Sequence, residues 1–476
     1  MRPVDTSVLI VGAGLAGLVT ARVLSRAGVD CLVLEAEGRA GGRVETARFA
    51  DGRTAEAHME EFWDESPAYP LLHELGLELS EDCAHSAVIL DGALCRYQGE
   101  GDRDDYLKGM FSDRERGAFL RWDEHARRLL ARLDATQDAS AAAWTSPLLR
   151  APFSSYVASL LPEGRVADWV RIVVESETAV EWDQISALDG LDEMRPFLDS
   201  PLGFGGTNAH VVGGNDRLVD AIIHQLPDGI VHLRDPVRGI RDRGDHVEVT
   251  HGEEGASRRT RCDQVVIAVP TWSIGSLGLE ADLEPAACRA LDSVAAGSYL
   301  KALIRVRPEA AELWERHGTG VFTLLSDGPA GCIYLVDDSP GHDPLLTLLV
   351  HAQHARRLCT AGLRSHEGVA EQIIGSLDGL RAPLPLWSGL ADLVEEVRVF
   401  AYPQAVAFWP VAEGRSRFDE PARALRRPQG RVHFAGDSLE SSHSDGAVRS
   451  ALRVGQRLTS LLAGFPAGPI DDEAVR

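Results

Sequence analysis

Three glycines near the start of the chain, Gly12, Gly14 and Gly17, stand in the spacing G-x-G-x-x-G directly after an apolar run over 8–11. That spacing suits a phosphate-binding turn. The first glycine permits a sharp reversal, the second lets bare backbone approach a pyrophosphate, and the third, beside Ala16, lets the next helix pack close on the strand. The N–H groups at the helix start would face the phosphates. Glu35 lies 18 residues beyond Gly17, where a carboxylate can accept both ribose hydroxyls. Just past it, Arg39-Ala-Gly-Gly-Arg43 offers two guanidinium groups, with the bare backbone of Gly41 and Gly42, to the same pyrophosphate. These residues need a particular frame: a buried strand leading into the turn, a helix over 18–27 ended by Gly28, and a second strand over 30–34.

At 476 residues the chain is too long for one core and short for three, so two domains are expected. Its net charge of −24, from 72 acidic and 48 basic residues, argues against nucleic acid or an anionic membrane surface as partner. Only two lysines occur, Lys108 and Lys301, against 46 arginines. Seven cysteines (31, 83, 95, 262, 288, 332 and 359) are scattered without C-x-x-C spacing, as expected of reduced thiols in a cytoplasmic protein. The apolar run 8–19 lacks the basic lead-in and cleavage site of a signal peptide. No apolar run reaches membrane-spanning length, and the polar, helix-breaking stretch 464–473 is not expected to act as an anchor.

The fingerprint, continued past Glu35 into Gly41-Gly-Arg43, resembles that of the flavin-dependent amine oxidase family, which implies FAD rather than NAD. Other segments extend the resemblance. A short helix over 66–77 has counterparts there, and a helix-rich stretch over about 80–202 includes helical spacing at 114–133, 151–161 and 164–174. A glycine pair, Gly213-Gly, opens a helix followed by strands over 230–233, 236–240, 246–250 and 264–270, resembling the family's second FAD-domain segment. Val237 is then the residue whose backbone meets the adenine, although an ordinary αβ unit would read alike. Strands over 299–306, 332–336 and 345–350 and a helix over 369–377 suit the sheet half of a substrate domain. A strand ending in Ala435-Gly436-Asp437, then a helix starting Asp445-Gly446-Ala447, resembles the segment that closes the family's FAD domain. The resemblance puts Asp437 at the ribityl or pyrophosphate region and the helix start at the flavin's pyrimidine end, where its dipole favours the anionic reduced ring; a plain helix cap is the alternative for Asp437.

Gly297-Ser-Tyr-Leu-Lys301 resembles the family strand whose lysine holds a water against flavin N5. A cation there stabilises reduced oxygen species as electrons pass to dioxygen. Strand alternation sets Leu300 and Ala302 on one face and Lys301 with Leu303 on the other. The chain has no second G-x-G-x-x-G, so electrons are expected from the organic substrate rather than a nicotinamide.

Other positions depart from the family pattern. His58 and Met59 stand where glycines usually lie against the flavin, leaving His58 as a base, a substrate ligand or a packing residue. Glu60 and Glu61 are placed to receive an ammonium group, or are simply surface acids. Counting back from the closing segment puts Trp409 and His443 where the family has a pair of aromatics flanking the flavin, and Phe408 where covalent-flavin members have cysteine.

The sequence thus predicts an α/β flavoprotein with a glutathione-reductase-like, Rossmann-type FAD-binding domain (1–79, 205–284 and 427–465) and a mixed helix-plus-sheet substrate domain (80–204 and 285–426). The implied reaction is oxidation of a C–N bond of a small polar amine with non-covalent FAD and dioxygen as acceptor, in a cytoplasmic protein for which a homodimer is the candidate assembly. An L-amino-acid oxidase, a C–C desaturase of the protoporphyrinogen-oxidase kind and a non-catalytic FAD-binding protein are the rival readings.

Overall fold

The computed structural model describes residues 5–63, 66–82, 87–96, 103–135, 141–161, 164–198, 208–315, 322–337, 343–362, 366–380, 382–411 and 416–462. Cys83 and the stretch 464–473 lie outside them. The chain forms two units: Met1–Ser80 with Ala209–Ala295 and Gly414–Arg476, and Glu81–Asn208 with Ala296–Glu413.

The first unit is built on the strand Thr6–Val11, whose Val8, Leu9 and Ile10 are fully buried, as expected of a parallel strand covered on both faces. It pairs in parallel with Cys31–Leu34 on one side and Arg258–Ile267 on the other. Val231–His232 extends the parallel set beyond Cys31–Leu34. Arg258–Ile267 is ten residues long and changes partner along its length. Its first half pairs antiparallel with Val247–His251, and its end pairs in parallel with Val432–Phe434. The helix Leu15–Arg26 packs against the closing helix Ser444–Leu462, which comes so near that a Cβ on Gly455 would lie 2.7 Å from Val23 Cγ1.

Helix Pro285–Ser293 packs on helix Glu420–Arg426, and Arg427 reaches both Glu284 and Glu420 at 2.8 Å. Both helices therefore belong to the first unit, whereas the sequence alone predicts segments that end short of them, at 284 and 427. Pairing between helices 135 residues apart leaves no local signal in the sequence.

The second unit carries a seven-stranded sheet in the order Val394–Phe408, Ala295–Val306, Leu345–His351, Cys332–Asp337, Leu324–Ser326, Ala87–Leu90, Ala93–Arg96. The last two strands, with Leu79–Asp82 before them, correct the expectation of a helix-rich segment from residue 80; helices begin at Arg103–Met110. The missed signal is Asp91-Gly92, both with positive φ (52° and 67°), the pair that a two-residue hairpin turn demands. One face of the sheet, with Leu300, Ala302, Ile304, Leu346, Leu348 and Val350, packs as an apolar core against Leu358, Val369, Ile373 and Trp387. The alternate residues Tyr299, Lys301 and Leu303, opposite His351, Leu349 and Thr347, form the other face.

Candidate active site

The three fingerprint glycines have three different surroundings. Gly12 has φ +101°, and a Cβ there would meet Val269 Cγ1 at 2.8 Å and Ala268 O at 2.9 Å. At Gly17 a Cβ would fall 2.0 Å from Gly12 O, so the helix can lie this close to the turn only without a side chain. At Gly14, by contrast, nothing lies within 4 Å of the added carbon, and Gly14 is the N-cap of Leu15–Arg26 with no side-chain capping bond. Tight packing on both sides and open space at the middle glycine leave a cradle that ends in helix N–H groups. Ala16 is buried inside that helix, where its carbonyl accepts from Thr20 Oγ1 at 2.8 Å.

Glu35 sits at the end of the second strand. Its Oε2 accepts from Ala13 N and its Oε1 from Glu37 N, each at 2.8 Å, which ties the acid to the phosphate turn. The glycine-pair loop crosses the same turn: Gly41 N donates to Ala13 O at 2.8 Å, and a Cβ on Gly42 would approach Gly14 Cα to 3.3 Å. The two arginines divide their work. Arg39 turns inward and donates to the carbonyls of Ala40, Gly42 and Val44 and to Glu45 Oε2, so it shapes the loop. Arg43 instead makes a two-pronged bond to Asp437, NH1 to Oδ2 and NH2 to Oδ1, both at 2.7 Å. Burial works against the Arg43 charge, but the Asp437 carboxylate outweighs it and raises the guanidinium pKa above its ordinary value.

That pair joins residues 394 apart in the chain. Gly436 N donates to Ser450 Oγ at 2.8 Å, fixing the turn to the closing helix. In the first turn of that helix a Cβ on Gly446 would lie 2.2 Å from Ser441 O, Ala447 N donates to His443 O at 3.3 Å, and Ser441 Oγ donates to Asp445 at 2.7 Å. His443 is half-buried, immediately before the helix. Val237 opens the strand Val237–Asp242, two residues after Asp235, whose N–H donates to Glu35 O at 2.8 Å; the chain leading to Val237 thus lies along the acidic end of the second strand.

The segment at His58–Glu61 is irregular and half-buried. Met59 packs against the apolar core of the unit, so its side chain is held by packing. His58 Nε2 lies 3.7 Å from Glu45 Oε2. Asn215, fully buried, holds the segment by donating to Met59 O at 3.3 Å and Glu60 O at 2.8 Å, while its own N–H donates to the buried Glu56. Sequence reasoning missed Asn215 and Trp272, whose ring lies 5.7 Å from Arg43 Cζ. The loop-into-helix pattern at Gly213-Gly-Asn215 held the only hint of the former.

Lys301 and Trp409 belong to the second unit. Lys301 is 2% exposed, on the sheet face opposite the apolar core, paired with Leu349. Trp409 is 4% exposed, between the end of Val394–Phe408 and the bridge of Pro410 to Ile185.

A mostly parallel sheet, a strand running into a glycine cradle at a helix N-terminus, and an acid closing the second strand define a dinucleotide-binding unit of Rossmann type. The chain belongs to the flavin containing amine oxidoreductase family, whose model matches residues 15–459. It is similar to the flavin-dependent L-tryptophan oxidase of Lentzea aerocolonigenes (26% identity, over 94% of this chain and 96% of the relative) and to amine oxidase [flavin-containing] A of Sus scrofa (23%, over 96% and 85%). The solved structure of wild-type putrescine oxidase bound to putrescine shares the fold, with a TM-score of 0.77 at 20% identity, covering 96% of this chain and 99% of that one. The protein is an FAD-dependent oxidoreductase of this family. The cradle fits that cofactor, since open space at Gly14 is what a pyrophosphate against the backbone requires. Among the described residues, no helix is long and apolar enough to cross a membrane.

Proposed function

We propose that the protein oxidises the C–N bond of a small polar amine, with dioxygen as the final acceptor. The observation that carries this reading is the His58–Glu61 segment: Asn215 fixes its backbone, His58 and Met59 stand where the family usually has bare glycines, and two acids, Glu60 and Glu61, follow them. Bound FAD supplies a hydride acceptor. Glu60 and Glu61 attract an ammonium group and repel a carboxylate. His58, backed by Glu45, accepts the ammonium proton and so frees the nitrogen lone pair that must stabilise the developing iminium. Trp409 offers a π-face to the amine, with His443 as a second proton acceptor. Lys301 supplies the cation that favours electron transfer to dioxygen; its motif and its burial away from the apolar core support that role.

The turn of Gly12, Gly14 and Gly17 would hold the pyrophosphate, Glu35 the ribose and Val237 the adenine, while Asp437, Gly446 and Ala447 would face the flavin side. Phe408 at the covalent-cysteine position supports non-covalent FAD. The net charge of −24 supports a protein working away from nucleic acid and anionic membranes, and seven scattered cysteines without C-x-x-C spacing support a reducing, cytoplasmic setting.

Oxygen consumption measured with putrescine, cyclohexylamine, L-tryptophan and tryptamine tests the substrate class. Turnover of an amine is expected. Turnover of L-tryptophan with none of tryptamine or the other amines would replace this reading with that of an amino-acid oxidase.

A further inference from the structure

We propose that Trp272 is a positioning residue for the cofactor site: its indole and the Asp437 carboxylate together fix the Arg43 guanidinium beside the phosphate turn, and so slow the release of FAD. The inference rests on the FAD site described above. Arg43 follows Gly42, whose added Cβ would reach Gly14 Cα, so its backbone runs along the rim of the open cradle. An arginine there has a flexible stem, and holding its head costs rotamer entropy unless partners on different sides fix it. Asp437 fixes it in its own plane through NH1 and NH2 at 2.7 Å. Trp272 is the partner off the carboxylate, with Cζ 5.7 Å from the ring centroid, within reach of the negative face of an indole.

The segment that carries the indole is itself held. Trp272 is half-buried in the short helix Thr271–Ile274, which Pro270 opens at the end of the strand Arg258–Ile267, and Ser273 N donates to Pro270 O at 2.8 Å. That strand end also supplies Ala268 and Val269, the neighbours of Gly12. The glycine-pair loop, the Trp272 helix and the Asp437 turn therefore converge from three parts of the sequence on one guanidinium, and the loop and the strand end before the Trp272 helix both border the phosphate turn.

The test is a double-mutant cycle read as the rate at which FAD leaves the loaded protein, followed by the recovery of flavin fluorescence after dilution. Trp272→Leu is expected to speed release by roughly three- to tenfold, the size of a partly exposed cation–π contact. Arg43→Met should speed it by more, and Trp272→Leu added to Arg43→Met should add less than about twofold. The cycle is run in parallel with Trp272→Phe, whose smaller ring should give an intermediate rate in the presence of Arg43 and no further effect in its absence; this variant alone decides the matter if the leucine variant does not fold. Unchanged release from both Trp272 variants, or the same acceleration with and without Arg43, overturns the proposal. A wild-type protein that takes up no FAD would overturn the cofactor reading instead, before any variant is made.

Discussion

Gly14→Ala adds one carbon at the N-cap of Leu15–Arg26, where φ is −72° and ψ is 178° and no heavy atom lies within 4 Å of it. Alanine adopts that backbone without strain, so the apoprotein should keep its stability to within about 0.5 kcal/mol. The methyl group would instead occupy the space the pyrophosphate needs. Pushing a phosphate oxygen off a helix N–H removes a charge-assisted hydrogen bond of about 1.5–3 kcal/mol, roughly a ten- to hundredfold loss of FAD affinity. Gly17→Ala is the contrast. Its Cβ would lie 2.0 Å from Gly12 O, a clash between backbone and backbone-fixed carbon, so about 1–3 kcal/mol or more of overpacking should appear in the apoprotein itself. The assay pairs urea unfolding of the apoproteins with titration of FAD by its fluorescence quenching. FAD bound by Gly14→Ala as tightly as by the wild type would refute the placement of the cofactor at this turn.

Three further outcomes are expected. Lys301→Met should leave flavin reduction by substrate within about tenfold while the reaction with oxygen falls by more, a factor of ten corresponding to about 1.4 kcal/mol; oxygen reactivity that does not change removes the role of Lys301. Acid precipitation should leave the yellow chromophore in the supernatant, because Phe408 cannot form a thioether, and colour in the pellet would contradict non-covalent binding. Two buried histidines predict acid sensitivity: burial first, then His354 and Arg171, push His351 down to about 3, and burial with Arg457 and Arg453 pushes His433 down to about 4. Since the unfolded chain takes up these protons near pH 6.5 and the folded protein refuses them, stability is complete above about pH 6.5 and falls below it by about 1.4 kcal/mol per pH unit per histidine. His351→Leu should recover about 2 kcal/mol of the loss between pH 6.5 and 5, measured by urea midpoints; an unaltered slope would contradict this.

What the sequence revealed is what short-range chemistry encodes. Gly12, Gly14 and Gly17 occupy a sharp turn, an open cradle and a tight helix contact, and alternation from Leu300 to Ala302 puts those two in the apolar core and Lys301 on the other face. What it concealed depends on distant partners. Arg39 and Arg43 look alike in the loop, and only Glu45 and Asp437 tell them apart. Asn215 and Trp272 act on residues more than 150 positions away, and the attachment of Pro285–Ser293 to Glu420–Arg426 is likewise invisible to any window along the chain. The hairpin at 87–96 was legible in Asp91-Gly92 but is short, and a run of four apolar residues fits helix and strand equally.

The most direct test of the account is anaerobic mixing of the FAD-loaded protein with a small primary amine, unlabelled and deuterated at the carbon bearing nitrogen, while the visible flavin absorption is followed. The account predicts that the flavin bleaches, that deuterium slows the bleaching, and that admitting oxygen restores the colour with release of hydrogen peroxide. A flavin that stays oxidised with every amine tried would contradict it.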